Sequence, residues 1–185
     1  MRYTDTVPYD PKAIANFFID AAAAEGKHLT PLQIIKLVYI AHGWHLGLTG
    51  EPLINEPPEA WRYGPVIPSL YHALKIYGNE PVQRRITDFV PDPASQWNLS
   101  MTEVQPPTEP QISKFLQSVW KAYGHLNGSQ LSALTHRIGT PWYQTWETTG
   151  AKYSKGFDIP EQSIGNHYRE LNTQYARKRV ATTSE

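Results

Sequence analysis

No cysteine occurs among the 185 residues, and that absence removes several kinds of function at once. Disulfide scaffolds, thiolate metal centres and cysteine nucleophiles all need a residue the chain does not have, and a reducing cytosol suits it. A charge excess is missing too, since 17 Lys and Arg balance 17 Asp and Glu. Proteins that neutralise many phosphates carry a basic surplus, so nucleic acid is not the expected partner. The densest basic cluster, Arg177, Lys178 and Arg179, reads as a solvated helix end. Long apolar runs are also lacking. The longest, Leu32 to Ala41, is interrupted by Gln33 and Lys36 and is too short to span a bilayer. Met1 to Pro11 is polar and bears a proline, unlike a secretory leader, so the expectation is a soluble cytoplasmic protein with no membrane contact.

What the chain does have is proline and rings: 16 Pro, 11 Tyr and 6 Trp. The prolines mark helix starts. Asp10-Pro11 caps and opens a helix through Ile14, Phe17, Phe18 and Ala21, closed near Gly26. Thr30-Pro31 opens a second, with Leu32, Ile35, Val38, Tyr39 and His42 on one broad face, ended by Thr49-Gly50-Glu51-Pro52. Ala60 to Tyr63 reads as a short extended piece, and Pro68-Ser69 starts a helix running through Leu70, Tyr71, Leu74 and Tyr77 to Gly78. Between residues 79 and 107 two readings stand side by side. One is a small hairpin of Gln83–Val90 and Gln96–Val104 about Pro91-Asp92-Pro93, the other an irregular insertion.

Thr108-Glu109-Pro110-Gln111 resembles a capping-box start for a helix striped by Ile112, Phe115, Leu116, Val119, Trp120 and Tyr123. Ser129 is read as the cap of a short helix through Leu131, Leu134 and Ile138. Pro141 to Glu147 forms another, carrying Trp142, Tyr143 and Trp146. A flexible loop over Thr148–Gly156 precedes a last amphipathic helix opened by Ile159-Pro160, with Ile164, Tyr168, Leu171 and Tyr175. The prediction is mainly α: a single compact helical domain of about six to seven helices, with its core over about residues 10–175 and a frayed tail over 176–185.

The chemistry-bearing patterns are sparse. His42 and His45 stand three apart on one helix, with His72 and His136 elsewhere, but no acidic residue completes a zinc-like motif beside the pair. A His-dependent metalloenzyme is therefore the rival reading. No nucleophile elbow or phosphate-cradling loop occurs, so neither a catalytic set nor a cofactor is expected. Two rigid ring-bearing turns stand out instead. Trp61, Arg62 and Tyr63 precede Gly64-Pro65, and Trp142, Tyr143 and Trp146 follow Gly139-Thr140-Pro141. Trp, Tyr and Arg are the types that anchor protein interfaces, and a preordered turn limits the entropy lost on binding, so these six are the predicted partner contacts.

In order along the chain, Leu29-Thr30-Pro31-Leu32-Gln33-Ile34-Ile35-Lys36-Leu37-Val38-Tyr39-Ile40-Ala41-His42-Gly43-Trp44, Thr49-Gly50-Glu51-Pro52-Leu53 and Glu59-Ala60-Trp61-Arg62-Tyr63-Gly64-Pro65-Val66 resemble the Panacea antitoxin domain. That is the SocA-like and GepA-like group of small bacterial and prophage proteins. Leu131-Ser132-Ala133-Leu134-Thr135-His136 and Gly139-Thr140-Pro141-Trp142 agree, as does the Ile159-Pro160 helix start. The resemblance implies a mainly helical, non-enzymatic antitoxin without a cofactor, encoded beside a toxin gene and neutralising that toxin by direct binding. It also implies partners as unlike as alarmone-synthetase-type enzymes and small membrane-active peptides. For the SocA branch it implies an adaptor that delivers its toxin to the ClpXP protease. By position it makes Trp61, Tyr63, Gly64, Pro65, His136, Pro141 and Trp142 signature residues, with the helix face of His42 and Trp44, and with Thr30 and Pro31 at the helix start.

Overall fold

The computed structural model describes residues 7–149 and 156–183. Its order is α1 (Pro11–Ala24), α2 (Pro31–Thr49), β1 (Glu59–Trp61), β2 (Gly64–Val66), α3 (Pro68–Leu74), β3 (Thr87–Pro91), β4 (Leu99–Glu103), α4 (Pro110–Tyr123), α5 (Gly128–Thr135), α6 (Pro141–Thr148) and α7 (Glu161–Thr183). A single 3-10 turn, Lys75–Tyr77, extends α3 to Gly78. The mainly helical prediction holds. The strands make two separate antiparallel hairpins, β1–β2 and β3–β4. The second settles the alternatives for residues 79–107 in favour of a hairpin, with Phe89 opposite Met101.

Most helix starts follow from their caps. The Asp10 carboxylate accepts the Lys12 N–H at 2.7 Å, and Thr30 and Gln33 complete a reciprocal capping box at α2. Two expected caps are corrected. Asn127, not Ser129, caps α5, because its side chain reaches the Gln130 N–H while Gln130 returns to the Asn127 N–H. Helix α5 also ends at Thr135, leaving Ile138 exposed. At α4 the cap position belongs to Glu109, not to a Thr108 capping box, and no side chain bonds there. Pro110 at the first helical position already removes one donor that a cap would have satisfied. Most of the predicted loop after α6, residues 150–155, lies outside the described residues, as do residues 184–185 of the predicted tail.

Helix α2 is the axis of the molecule. Its expected single apolar face is instead burial on nearly every side, from Ile34 through Gly43, although Leu32 itself is exposed. A helix apolar all round belongs at the centre of a core, and α1, α3, α4, α5 and α7 all pack on this one. The most extensive of these contacts is with α7. Gly43 and Gly47 make it: a Cβ at Gly43 would overlap the Tyr168 ring, and one at Gly47 would lie 2.8 Å from Tyr168 Cβ. Omitting two side chains lets α7 approach the α2 backbone and bury Tyr168 and Ile164. No helix among the described residues is long and apolar enough to cross a membrane.

Candidate functional site

The β1–β2 hairpin turns through Arg62 and Tyr63, with Trp61 opposite Gly64. Gly64 has φ +105°, a region that side chains with a Cβ rarely enter. Space forbids a side chain there as well. A Cβ at Gly64 would collide with Lys36 Nζ and come within 2.8 Å of His136 Cε1. The Lys36 amine therefore sits directly under the turn, donating to Tyr63 O at 3.0 Å and Pro65 O at 2.9 Å. Lys36 is fully buried, and burial pushes its pKa down to about 7. Among the described residues no carboxylate pairs with it. The outer side of β1 is covered: Ala60 N–H donates to Phe157 O at 2.8 Å and Ile159 N–H to Pro58 O at 2.7 Å.

The second ring-bearing segment docks onto the first. Trp142 donates its indole N–H to Trp61 O at 2.8 Å. His136 donates from Nδ1 to Ser132 O at 2.8 Å and meets the Trp142 ring edge to face at 4.1 Å. Trp146 stacks on Trp142 with ring centres 5.5 Å apart, while Trp61 packs against Tyr71 at 4.8 Å. Between the start of α2, the hairpin, α5 and Trp146 lies an open groove of about 1320 Å³, lined mostly by apolar and aromatic surface.

Four of the six predicted contact residues, Trp61, Arg62, Tyr63 and Trp146, line this groove. Tyr63 is 71% exposed, and the Arg62 guanidinium lies 5.5 Å over its ring. Tyr143 is half-buried against the core and takes no part in the lining. Trp142 needs correction as a contact residue. It is only 6% exposed and its polar edge is spent on Trp61, so it builds the wall that other rings stand on. Pro31 and His136 line the groove, Gly64 and Pro65 are buried beneath it, and Thr30 and Pro141 serve helix starts.

His42 and Trp44 belong to other parts of α2. His42 is wholly buried, accepts the Leu53 N–H on Nδ1 at 3.4 Å, and is held neutral by burial, which drives its pKa down to about 3. His45 donates from Nδ1 to Glu51 O at 2.7 Å. Among the described residues, no three His, Asp or Glu side chains gather in a way that would hold a metal ion. Trp44 donates to the Tyr123 hydroxyl at 2.9 Å and packs against Tyr168 and Tyr175, which places it on the α7 seam.

Sequence reasoning did not single out Lys36, the residue that holds the turn. Its signal was there: a lone lysine inside the run Ile34–Ala41, where an amphipathic helix would place an apolar side chain.

Comparison with known proteins gives the chain a family. A family model described as "Antitoxin SocA-like, Panacea domain" matches residues 34–143, a span holding Lys36, the hairpin, α5 and Trp142. The protein named Antitoxin SocA from Caulobacter vibrioides is 32% identical over 165 residues, covering 89% of this chain and 85% of that one. No solved structure matches. With more than half of its length under the family model and a relative aligned along most of it, this chain belongs to the SocA-like Panacea antitoxin family.

Proposed function

We propose that this protein is an antitoxin that neutralises a cognate toxin by direct protein–protein binding, without a cofactor and without transforming a substrate. Family membership supports the antitoxin role, and the relative named Antitoxin SocA supports a toxin as its partner. The observation that carries binding over chemistry is the groove, where two rigid ring-bearing segments far apart in sequence converge. Its rings present large, stiff contact area at low entropic cost. The contact residues in this reading are Trp61, Arg62, Tyr63 and Trp146.

The test is co-expression with the product of the neighbouring gene. That product is expected to arrest growth alone, to be harmless beside this chain, and to co-purify with it. A harmless neighbour, or a toxic one that never associates, refutes the reading. Following the partner's half-life in the same cells separates two modes of action. Sequestration leaves the partner long-lived, whereas delivery to a ClpXP-type protease shortens its life only when the protease is present.

A further inference from the structure

The groove is lined by basic residues and by no acidic one. Arg62 stands exposed on its rim, the Lys36 amine lies under the floor, and His136 forms part of the wall. No aspartate or glutamate lines it. This asymmetry is local, because the chain as a whole carries equal numbers of acids and bases. The nearest acid in sequence, Glu59, is occupied by the Trp61 indole N–H at 2.7 Å. Arg62 forms no ion pair among the described residues, and its recorded contact is with the Tyr63 ring. The Lys36 amine donates to two backbone carbonyls, which hold it in place but bring no negative charge to it. Burial lowers the Lys36 pKa to about 7, so Arg62 is the groove's fixed cation.

We propose that the groove takes an acidic side chain, an Asp or Glu flanked by apolar residues on an extended segment of the partner protein. The carboxylate would pair with the Arg62 guanidinium, whose planar fork suits two-point contact. The flanking apolar side chains would cover Trp61, Tyr63, Tyr71 and Trp146, which line the same groove. Extended nucleic-acid strands fit less well, since the lining is mostly apolar and the basic groups do not form a track. This deepens the antitoxin reading and rests on it only for the identity of the partner; the groove's chemistry stands by itself.

The experiment is a phage-display selection of random dodecapeptides on the full-length protein. Fluorescence anisotropy then follows with the best peptide and its Asp→Asn or Glu→Gln counterpart. Selected peptides are expected to share an acid between apolar residues, and amidation should weaken binding about tenfold or more. Arg62→Glu should cause a similar loss with an unchanged melting temperature, and amidation should then cost little further, because the two changes remove one interaction. Ala133→Trp, which fills the groove from α5, should block binding whatever the peptide charge. The inference is overturned by a selection that enriches nothing, by peptides lacking an acid, by amidated peptides binding equally well, or by preference for a phosphopeptide or an oligonucleotide. A harmless neighbouring gene product would end the antitoxin reading and leave these peptide results standing. Toxin neutralisation that survives Arg62→Glu and Ala133→Trp would end this inference alone.

Discussion

The two hairpins are the same motif held in opposite ways. In β1–β2 the attachment comes from below and is buried: Lys36 ties two carbonyls of the turn, and Trp142 ties a third. In β3–β4 the attachment is at the root. Asn16 of α1, itself fully buried, donates to Ile86 O at 2.9 Å and Val104 O at 2.7 Å and accepts the Ile86 N–H at 2.7 Å. Around that anchor are surface ion pairs, Arg85 with Asp20 at 2.8 Å and Lys12 with Asp88. Beyond the root the second hairpin leans on nothing comparable among the described residues, and Trp97 near its tip is 78% exposed. A two-stranded hairpin is marginal by itself in water, so each needs an outside anchor. The candidate groove lies against the hairpin anchored along its turn, where rings are held most firmly.

The comparison is broken most severely by Gly64→Val. A branched side chain meets both a positive φ and the Lys36 amine, so stability should fall by roughly 2–5 kcal/mol. Thermal melting would show it, and a shift of a degree or two would mean that the turn is not so constrained. Next comes Asn16→Ala, which takes the Asn16 partner from the Ile86 N–H and the Val104 carbonyl at the other root, while Ile86 O keeps the Val104 N–H, at a cost of about 2–4 kcal/mol. Amide exchange should then speed up over residues 86–104 and not over 59–66; uniform acceleration would show that the two hairpins do not behave as separate units.

A third prediction concerns Lys36 and pH. Its folded pKa of about 7 lies below the ordinary 10.5, so between these values the unfolded chain holds the proton and the folded chain does not. Stability must therefore rise with pH across that interval, by up to about 1.4 kcal/mol per pH unit. Urea midpoints from about pH 7 to about pH 9.5, below the range where tyrosines titrate, should climb in the wild type relative to Lys36→Met. Parallel curves would place the amine in a wetter setting than its burial indicates. The smallest effect belongs to Arg85→Ala at the second hairpin, about 0.2–1 kcal/mol and shrinking as salt is added. A larger, salt-independent loss would mean that surface pairs, and not Asn16, hold β3–β4.

Legibility differed between regions for reasons of range. Helices α1, α2 and α6 were readable because Asp10, Thr30 and Thr140 act on amides two or three residues away. Where two side chains compete locally, as Asn127 and Ser129 do, pattern alone does not choose between them. For residues 79–107 the decision lay with Asn16, seventy residues from its partner Ile86, so hairpin and loop stood equal until the fold was known. The ring clusters were visible as groups, yet nothing near Trp142 marks it as a buried wall while Trp146 lines the groove.

By itself, then, the sequence determined most of the helix starts, the two stiff turns, the balanced charge and the family, all of which depend on residue type or on neighbours within a turn of chain. Only the tertiary structure decided that Lys36 lies beneath Gly64, that the turns meet, and that a groove lined by rings and basic residues opens between them. Burial and electric field are properties of what comes together in space. Here the groups that came together are 27 residues apart for Lys36 and Tyr63, and 81 apart for Trp142 and Trp61.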